Sequence, residues 1–324
     1  MIDRRRFLVL AAALPSAAIA QPAELVWRVG FCTNGFPPPD GLPPVAMRRA
    51  LREQGYVEGR NVAYVGRWAE LKPERLPVIA KELAELKPNA IVALGYPPAD
   101  ALRQATTSIP IVVCYAGDPV AMGLVASFAR PGANVTGISD QSAELSAKRM
   151  EILKQVRPNA TRVAVLWNAR NASMTHRFRE IERAAGVLSI SVQPLAVREP
   201  ADFDAAFAAM AREHPDVLLV VTDALTASSQ GRVTDYAAKN DLPAVYESGA
   251  VVRNGGLMSY GPKPDDIWRR VAVYVDRIVK GARPADLPVE QPNEFELVIN
   301  MKTAKSLGIA IPPALFMRAD EVIQ

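Results

Sequence analysis

The chain switches repeatedly between two hydrophobic periods. From residue 26 onward, short runs rich in Val and Ile alternate with stretches in which apolar residues recur at three- and four-residue spacing. The first kind predicts strands over "VWRVGFC", "NVAYVGRW", "NAIVALG", "IPIVVCYAG" and "NVTGIS", then over "RVAVLWN", "ISVQPLAV", "DVLLVVT" and "LPAVYES". The second predicts helices over "LPPVAMRRALREQGY", "ELSAKRMEILKQV", "DFDAAFAAMAREH" and "KPDDIWRRVAVYVDRIVKG". Strands alternating with helices in this way point to a parallel sheet covered on both faces. Few residues remain for long loops.

The two halves echo each other. "KPNAIVALGYPPADALRQATTSIPIVVCYAGDP" and "HPDVLLVVTDALTASSQGRVTDYAAKNDLPAVYES" both run strand, polar turn, helix, Pro-led strand, acidic turn. The expected fold is therefore α/β, with two doubly wound parallel-sheet lobes joined by a hinge. Open sheets of this kind bind ligands beyond the carboxyl ends of their strands, so two lobes face to face enclose a ligand cleft. The expected organisation is a signal peptide over 1–20, a first lobe from 24–137 plus 253–283, and a second from 138–252 plus 284–324. Chain crossings between lobes are expected at "RPGANVTG", at "VVRNGGLMSYGP" around Gly255 and Gly256, and near "RPADLPVEQPNEFELVIN".

The amino end stands outside this alternation. Arg4, Arg5 and Arg6 precede an apolar run from Phe7 to Leu14, and Ala18-Ile19-Ala20 follows. With Pro15 interrupting it, the run is shorter than the about 20 apolar residues that a membrane-spanning helix needs. Charge, apolar run and small residues in that order mark a cleavable export signal, with Gln21 as first mature residue and the periplasm as destination. Arg4-Arg5-Arg6-Phe7-Leu8 resembles the twin-arginine export pattern, although Asp3 and Val9 depart from it. Three of the 38 basic residues and one of the 34 acidic ones belong to this leader. What remains is nearly neutral, and no clustered basic face marks a nucleic-acid partner.

Candidate chemistry gathers at the ends of the expected strands. Asp118, Asp223 and Glu247 each follow a strand, and three carboxylates at a cleft mouth suit an ammonium group. Asp118 serves equally well as a cap on a helix beginning at Pro119. A ligand carboxylate would find no evident Arg in these turns; the helix start at "NARNASM", with Asn171 and Ser173, is the better anion site, because Pro97 and Pro98 remove two donors from the first-lobe turn. Phe36 and Tyr96 could flank an aromatic ligand, and Thr33 and Asn34 complete that rim. Trp27 and Trp68 fall inside strands and read as core, and His176 with Arg177 and Arg179 reads as a solvated helix face.

Catalytic patterns are missing. Two histidines cannot build a histidine-rich metal site, and neither Cys-x-x-Cys, G-x-x-x-x-G-K-[ST] nor G-x-S-x-G occurs, so no cofactor or metal is expected. In the strand order 2-1-3-4-5, Cys32 and Cys114 have one strand between them, or about 9.6 Å at a spacing of roughly 4.8 Å. Disulfides tolerate Cα separations up to about 7 Å, so no bridge is expected.

"GDPVAMGLV", "RPGANVTGIS", "GGLMSYGP" and "LPVEQP" followed by "ELVINMKTAKSLGI" resemble, in that order, the recurrent segments of the periplasmic-binding-protein-like family of ABC-importer substrate-binding proteins that includes tryptophan and tyrosine binders. The resemblance runs from about Val26 to Ile309. It implies a two-lobed type I binding protein without catalysis, a monomer that captures a small solute and delivers it to a membrane permease driven by an ATPase. It also implies ligand-facing turns at Tyr96-Pro97, at Asp118-Pro119, at Asn168, at Thr222-Asp223 and at Glu247-Ser248. Tyr96 and Pro98 replace a smaller, less rigid turn, and "NARNAS" differs from the family's loop. The ligand stays open between an amino acid, an aromatic acid and another small amphipathic solute. An exported enzyme using paired carboxylates, or a sensor feeding a signalling partner, are the competing functions.

Overall fold

A computed structural model describes residues 26–324 apart from Gln141 and the side chains of Ser142 and Ala143. The expected leader, with its arginine pattern and cleavage site, lies outside the described residues. The first sheet is built from β1 (Trp27–Thr33), β2 (Val62–Trp68), β3 (Ala90–Leu94), β4 (Ile111–Cys114) and β5 (Val135–Gly137), all parallel and in the order β2-β1-β3-β4-β5. Three helices connect these strands: α1 (Val45–Glu53), α2 (Leu76–Glu85) and α3 (Tyr96–Ala105). α2 buries Leu76, Ile79, Ala80 and Leu83, the three- and four-residue spacing that puts one apolar stripe on a helix.

The second lobe begins with α4 (Ser142–Val156), β6 (Arg162–Asn168), α5 (Ala172–Val187), β7 (Ser191–Val197), α6 (Asp202–Glu213) and β8 (Val217–Val220). It continues through α7 (Ala224–Ser228), α8 (Gln230–Lys239), β9 (Ala244–Tyr246), α9 (Gly249–Arg253) and β10 (Met258–Pro262). After α10 (Pro264–Val279) come β11 (Phe295–Asn300), α11 (Met301–Ser306), α12 (Pro313–Phe316) and β12 (Glu321–Ile323). The seven strands run in the order β12-β11-β10-β9-β8-β6-β7. From β7 to β10 this repeats the order of the first sheet, and β11 then adds antiparallel to β10.

α10 departs from simple chain order. It follows a second-lobe strand yet packs Ile267, Val271, Tyr274, Val275 and Ile278 against Val29, Phe31, Met47 and Leu51 of the first lobe, and Tyr56 Oη donates to Asp276 Oδ1 at 2.8 Å. A fully buried aliphatic side chain contributes about 1.5–3 kcal/mol, so α10 belongs to the first-lobe core as much as α1 does. The segment 253–283, expected whole in the first lobe, is thus divided: β10 lies in the second sheet and α10 on the first.

Three lengths of chain run between the sheets, and they lie side by side. Ser139 N donates to Glu290 O at 2.8 Å and Glu290 N to Gly137 O at 3.0 Å, while Lys263 N donates to Glu294 O at 3.0 Å. Arg270 ties them further, reaching Glu290 at 2.8 Å and the buried Asp266 at 2.9 Å. Two expected crossings are corrected here. Gly255 and Gly256 turn from α9 into β10 inside the second lobe, and the crossing comes at Lys263. "RPGANVTG" leads into β5 inside the first lobe, and the chain leaves only after Ile138, whose side chain still belongs to the first-lobe core.

Cys32 and Cys114 are buried and free. Ala93 of β3 is paired beside Cys32 in the sheet, and Cys114 Sγ donates to its carbonyl at 3.8 Å, as one intervening strand requires. His214 closes α6 in the left-handed conformation at φ 48°. Among the described residues no helix is long and apolar enough to cross a membrane.

Candidate functional site

The carboxyl ends of both sheets face one gap, which encloses a cavity of about 730 Å³, within the range of cavities that hold small organic ligands. Its two walls differ in chemistry. The first lobe contributes Phe36, Pro37, Pro38, Trp68, Pro97 and Tyr115, an aromatic and proline surface without a charge. The second lobe and the first crossing contribute all the charges: Asp140, Arg149, Arg177, Asp223 and Glu247.

On the first-lobe side, Thr33 ends β1, Asn34 follows it, and both are buried at the cavity wall. Their backbone is fixed to the loop after β2, since Ala69 N donates to Thr33 O at 3.0 Å and Leu71 N to Asn34 O at 2.7 Å. Phe36, 58% exposed, also faces the cavity. Trp68, expected in the core, packs against it from the end of β2 and also lines the cavity, 6.4 Å between ring centroids from Phe31. Its indole lies over Gly66, where a Cβ would come within 1.9 Å of the ring. Tyr96 is corrected in the other direction: as the first residue of α3 it packs on the first-lobe core, while its neighbours Pro97 and Pro98 reach the cavity.

The second-lobe side is held by a buried ion cluster that sequence reading missed. Glu247 follows β9, and its carboxylate takes Arg149 Nη1 at 2.8 Å, Arg177 Nη1 at 2.7 Å and Thr222 N at 2.9 Å. Arg177 also donates to Asp140, and Arg149 Nε donates to Tyr260 O at 2.7 Å. Burial alone would raise the Glu247 carboxyl, but the two guanidinium groups outweigh it and hold it below its ordinary value. Burial likewise acts to lower Arg177, and its two carboxylate partners overcome that and raise it. Arg149 is drawn down by burial, against the pull of Glu247; a guanidinium remains protonated in such surroundings. The Arg177 expected on a solvated face is thus 4% exposed, while its neighbour His176 stands partly exposed, 3.7 Å from Glu180.

Asp223 is fixed by helix capping and by two amides. Its Oδ1 accepts from Leu225 N at 2.9 Å and Thr226 N at 3.2 Å, opening α7, and its Oδ2 accepts from Asn168 Nδ2 at 2.7 Å and Asn171 Nδ2 at 3.2 Å. Asn171 caps α5 through Ser173 N, and Ser248 caps α9 through Ala250 N. Thr222, Asp223, Glu247, Ser248 and Asn171 all reach the cavity wall, whereas Asn168 supports Asp223 from behind.

Two expected contacts lie elsewhere. Asp118 does not reach the cavity: its Oδ1 accepts from Val120 N at 2.9 Å and Ala121 N at 3.0 Å, a turn-capping role, and the segment after Pro119 forms turns rather than a helix. Ser173 spans the gap instead of lining the cavity, donating its hydroxyl to Ala116 O of the first lobe at 2.9 Å. Arg170 and Glu74 add a second link between lobes at 3.2 Å. No group of three or more His, Cys, Asp or Glu able to hold a metal occurs among the described residues.

Comparison with known proteins agrees with this architecture. The pattern of the family described as ABC transporter substrate binding protein matches residues 45–323. A tyrosine-binding protein of Clostridioides difficile (strain R20291) is 28% identical over 261 residues, which are 81% of this chain and 75% of that protein. An ABC domain from Streptococcus pneumonia, solved in complex with L-Trp, superposes at a TM-score of 0.83 with 25% identity, covering 92% of this chain and 100% of that one. The ligand-free, open structure of a substrate binding protein with adhesive properties from Clostridium difficile covers the same shares at 26% identity, with a TM-score of 0.64. The lower score against an open structure accords with the contacts that join the lobes across the gap.

Proposed function

Because the chain belongs to the family of ABC transporter substrate binding proteins, a family of binding proteins rather than enzymes, we propose that it works outside the cytoplasm, capturing a small aromatic solute that bears an amino group and delivering it to a membrane permease. The observation that carries this reading is the division of the cavity: an aromatic and proline wall on one lobe faces a wall with the Asp223 carboxylate on the other. A flat apolar body is accepted by the first, a charged or polar end by the second. Ser173, bonded to Ala116 across the gap, gives closure a fixed end point, so that occupancy is reported by the relative position of the lobes.

The relatives named for tyrosine and solved with L-Trp support an aromatic ligand carrying an amino group. Trp68, Phe36 and Tyr115 would hold the ring, and Asp223 the ammonium. The protein acts as a monomer, with the permease and its ATPase as partners.

The test is capture without turnover. Mass spectrometry of the purified chain identifies any solute carried through purification, and thermal unfolding measures its effect. A solute at about 100 times its dissociation constant adds roughly 2.7 kcal/mol to the native state. Stabilisation with the solute recovered intact supports the reading, and chemical conversion of the solute overturns it.

A further inference from the structure

Glu70 and Leu71, in the loop between β2 and α2, stand side by side in the left-handed conformation, at φ 56° and 61°. Among the described residues they are the one adjacent pair of non-glycine residues to do so. Bulky side chains rarely take that conformation, and a fold keeps them there only where several contacts impose it. Three main-chain bonds impose it here: Ala69 N donates to Thr33 O at 3.0 Å, Glu70 N to Gly35 O at 3.0 Å and Leu71 N to Asn34 O at 2.7 Å. Thr33, Asn34 and Gly35 all line the cavity, so the strained turn is fastened to the ligand wall of the first lobe.

The Leu71 side chain leaves its own lobe. It packs on the second-lobe cluster that contains Leu166, Val197, Phe203 and Leu225, and of the described residues before the first crossing it alone joins either apolar cluster of that lobe. The links of Ser173 to Ala116 and of Arg170 to Glu74 are polar, and water competes for such groups whenever the gap is open. An apolar side chain instead gains by leaving water.

We propose that Leu71 is a positioning residue for capture. It lines no part of the cavity, yet its seat in the second lobe holds the gap shut, and the turn beneath it couples that seat to the wall on which the solute lies. This rests on the reading of the gap as a solute site that closes, and adds to it the contact that favours the closed form.

Cross-linking reads closure without a solute. Glu74→Cys and Arg170→Cys put thiols on the two lobes where side chains 62% and 42% exposed now meet at 3.2 Å, and a short bifunctional thiol reagent bridges them, Cys32 and Cys114 being buried. Leu71→Asn in that chain tolerates the left-handed backbone and lacks the apolar side chain. Its rate of bridging is expected to fall about five-fold or more, the effect of losing a partly buried Leu on a closing equilibrium. Leu71→Met, apolar again, should bridge within about two-fold of the parent. An unchanged rate in a folded Leu71→Asn chain overturns the proposal, and so does a Leu71→Met chain as slow as Leu71→Asn. Circular dichroism reports folding, and Leu71→Ala, which trims the side chain without adding polarity, takes the place of Leu71→Asn should that variant not fold.

A purely structural role would lower the melting temperature of the empty chain, whereas a positioning role leaves it within a few degrees and acts on release. L-tryptophan and L-tyrosine are the probes. For either that binds, stopped flow should show release about ten-fold faster in Leu71→Asn with entry little changed, because the solute enters the open form. Unchanged release overturns the role in capture; if neither probe binds, the bridging rate decides for Leu71 by itself. Since bridging needs no solute, the seat of Leu71 can fail while capture stands, and capture can fail while the seat stands.

Discussion

Arg177 and Glu247 lie 70 residues apart in the chain and 2.7 Å apart in space, with side chains 4% and 9% exposed. One comes from the first turns of α5 and the other from the turn after β9, so their bond pins two elements on the cavity wall. The shared partners Arg149 and Asp140 extend it to α4 and to the first crossing between lobes.

Arg177→Met is expected to destabilise the chain by about 3–5 kcal/mol, because Glu247 loses one of its two cations and Asp140 loses its own inside the protein. Urea unfolding followed by circular dichroism reads this directly. A change within about 1 kcal/mol, the scale of an exposed ion pair, would mean that water reaches the cluster.

The same cluster sets an acid limit. The Glu247 carboxyl is held below the ordinary 4.5, so its contribution is complete above about pH 4.5 and is lost as pH falls through the lower folded value. Thermal unfolding from pH 7 downward should show stability declining below that point, and Glu247→Gln should flatten the decline. A variant that keeps the parent's slope would assign the acid limit to other carboxylates.

Gly117 meets Ser173 across the gap. Its φ is 79°, and a Cβ there would stand 2.0 Å from Ser173 Oγ, so Gly117→Ala acts as a wedge as well as costing about 1 kcal/mol in backbone conformation. Solute affinity is expected to fall at least ten-fold, with small-angle scattering showing no contraction on solute addition. Ser173→Gly in the same chain removes the clash and should recover part of the contraction.

Gly66 is the floor beneath the Trp68 indole. Gly66→Ala has no left-handed backbone to strain, and the nearest atoms its Cβ would meet are those of the ring, at 1.9 Å, which it must lift. Affinity for an aromatic solute should drop several-fold while the unliganded melting temperature stays within a few degrees; equal affinity would remove Trp68 from the ligand wall.

Burial raises both thiols, Cys32 to about 12 and Cys114 further, so neither is a thiolate at pH 8. A disulfide-exchange reagent should therefore find no reactive thiol in the native chain and two in urea, and reductant should leave the melting temperature unchanged. Rapid native reaction at either position would show that the first-lobe sheet opens locally.

Much of the sheet order was legible because buried parallel strands announce themselves as apolar runs, and Cys32 and Cys114 could be kept apart from that order alone. The ion cluster was not. Arg149 sits on the apolar stripe of α4 with Leu145, Ile152 and Leu153, and Arg177 on that of α5 with Met174, Phe178 and Ile181, and a charge inside such a stripe is the local signal that it is buried. Its partner is invisible locally, since Arg149 and Glu247 are 98 residues apart. The core packing of Trp68 was legible but its place on the cavity wall was not, because alternation along a strand says which face a residue takes but not where the strand runs out at a cavity. Asp118 and Asp223 look alike in sequence, each a carboxylate after a strand; Asp118 closes a local turn, while Asn168 and Asn171 hold Asp223 on the wall.

The placement of α10 has a consequence for biosynthesis. Residues 27–137 supply every strand of the first sheet, but the face shared by α1 and α10 is only half covered on the ribosome, by α1 alone, until α10 has been made after most of the second lobe. The amino-terminal half cannot mature as an autonomous unit, and a chain truncated before Pro264 should present that uncovered surface to chaperones and proteases.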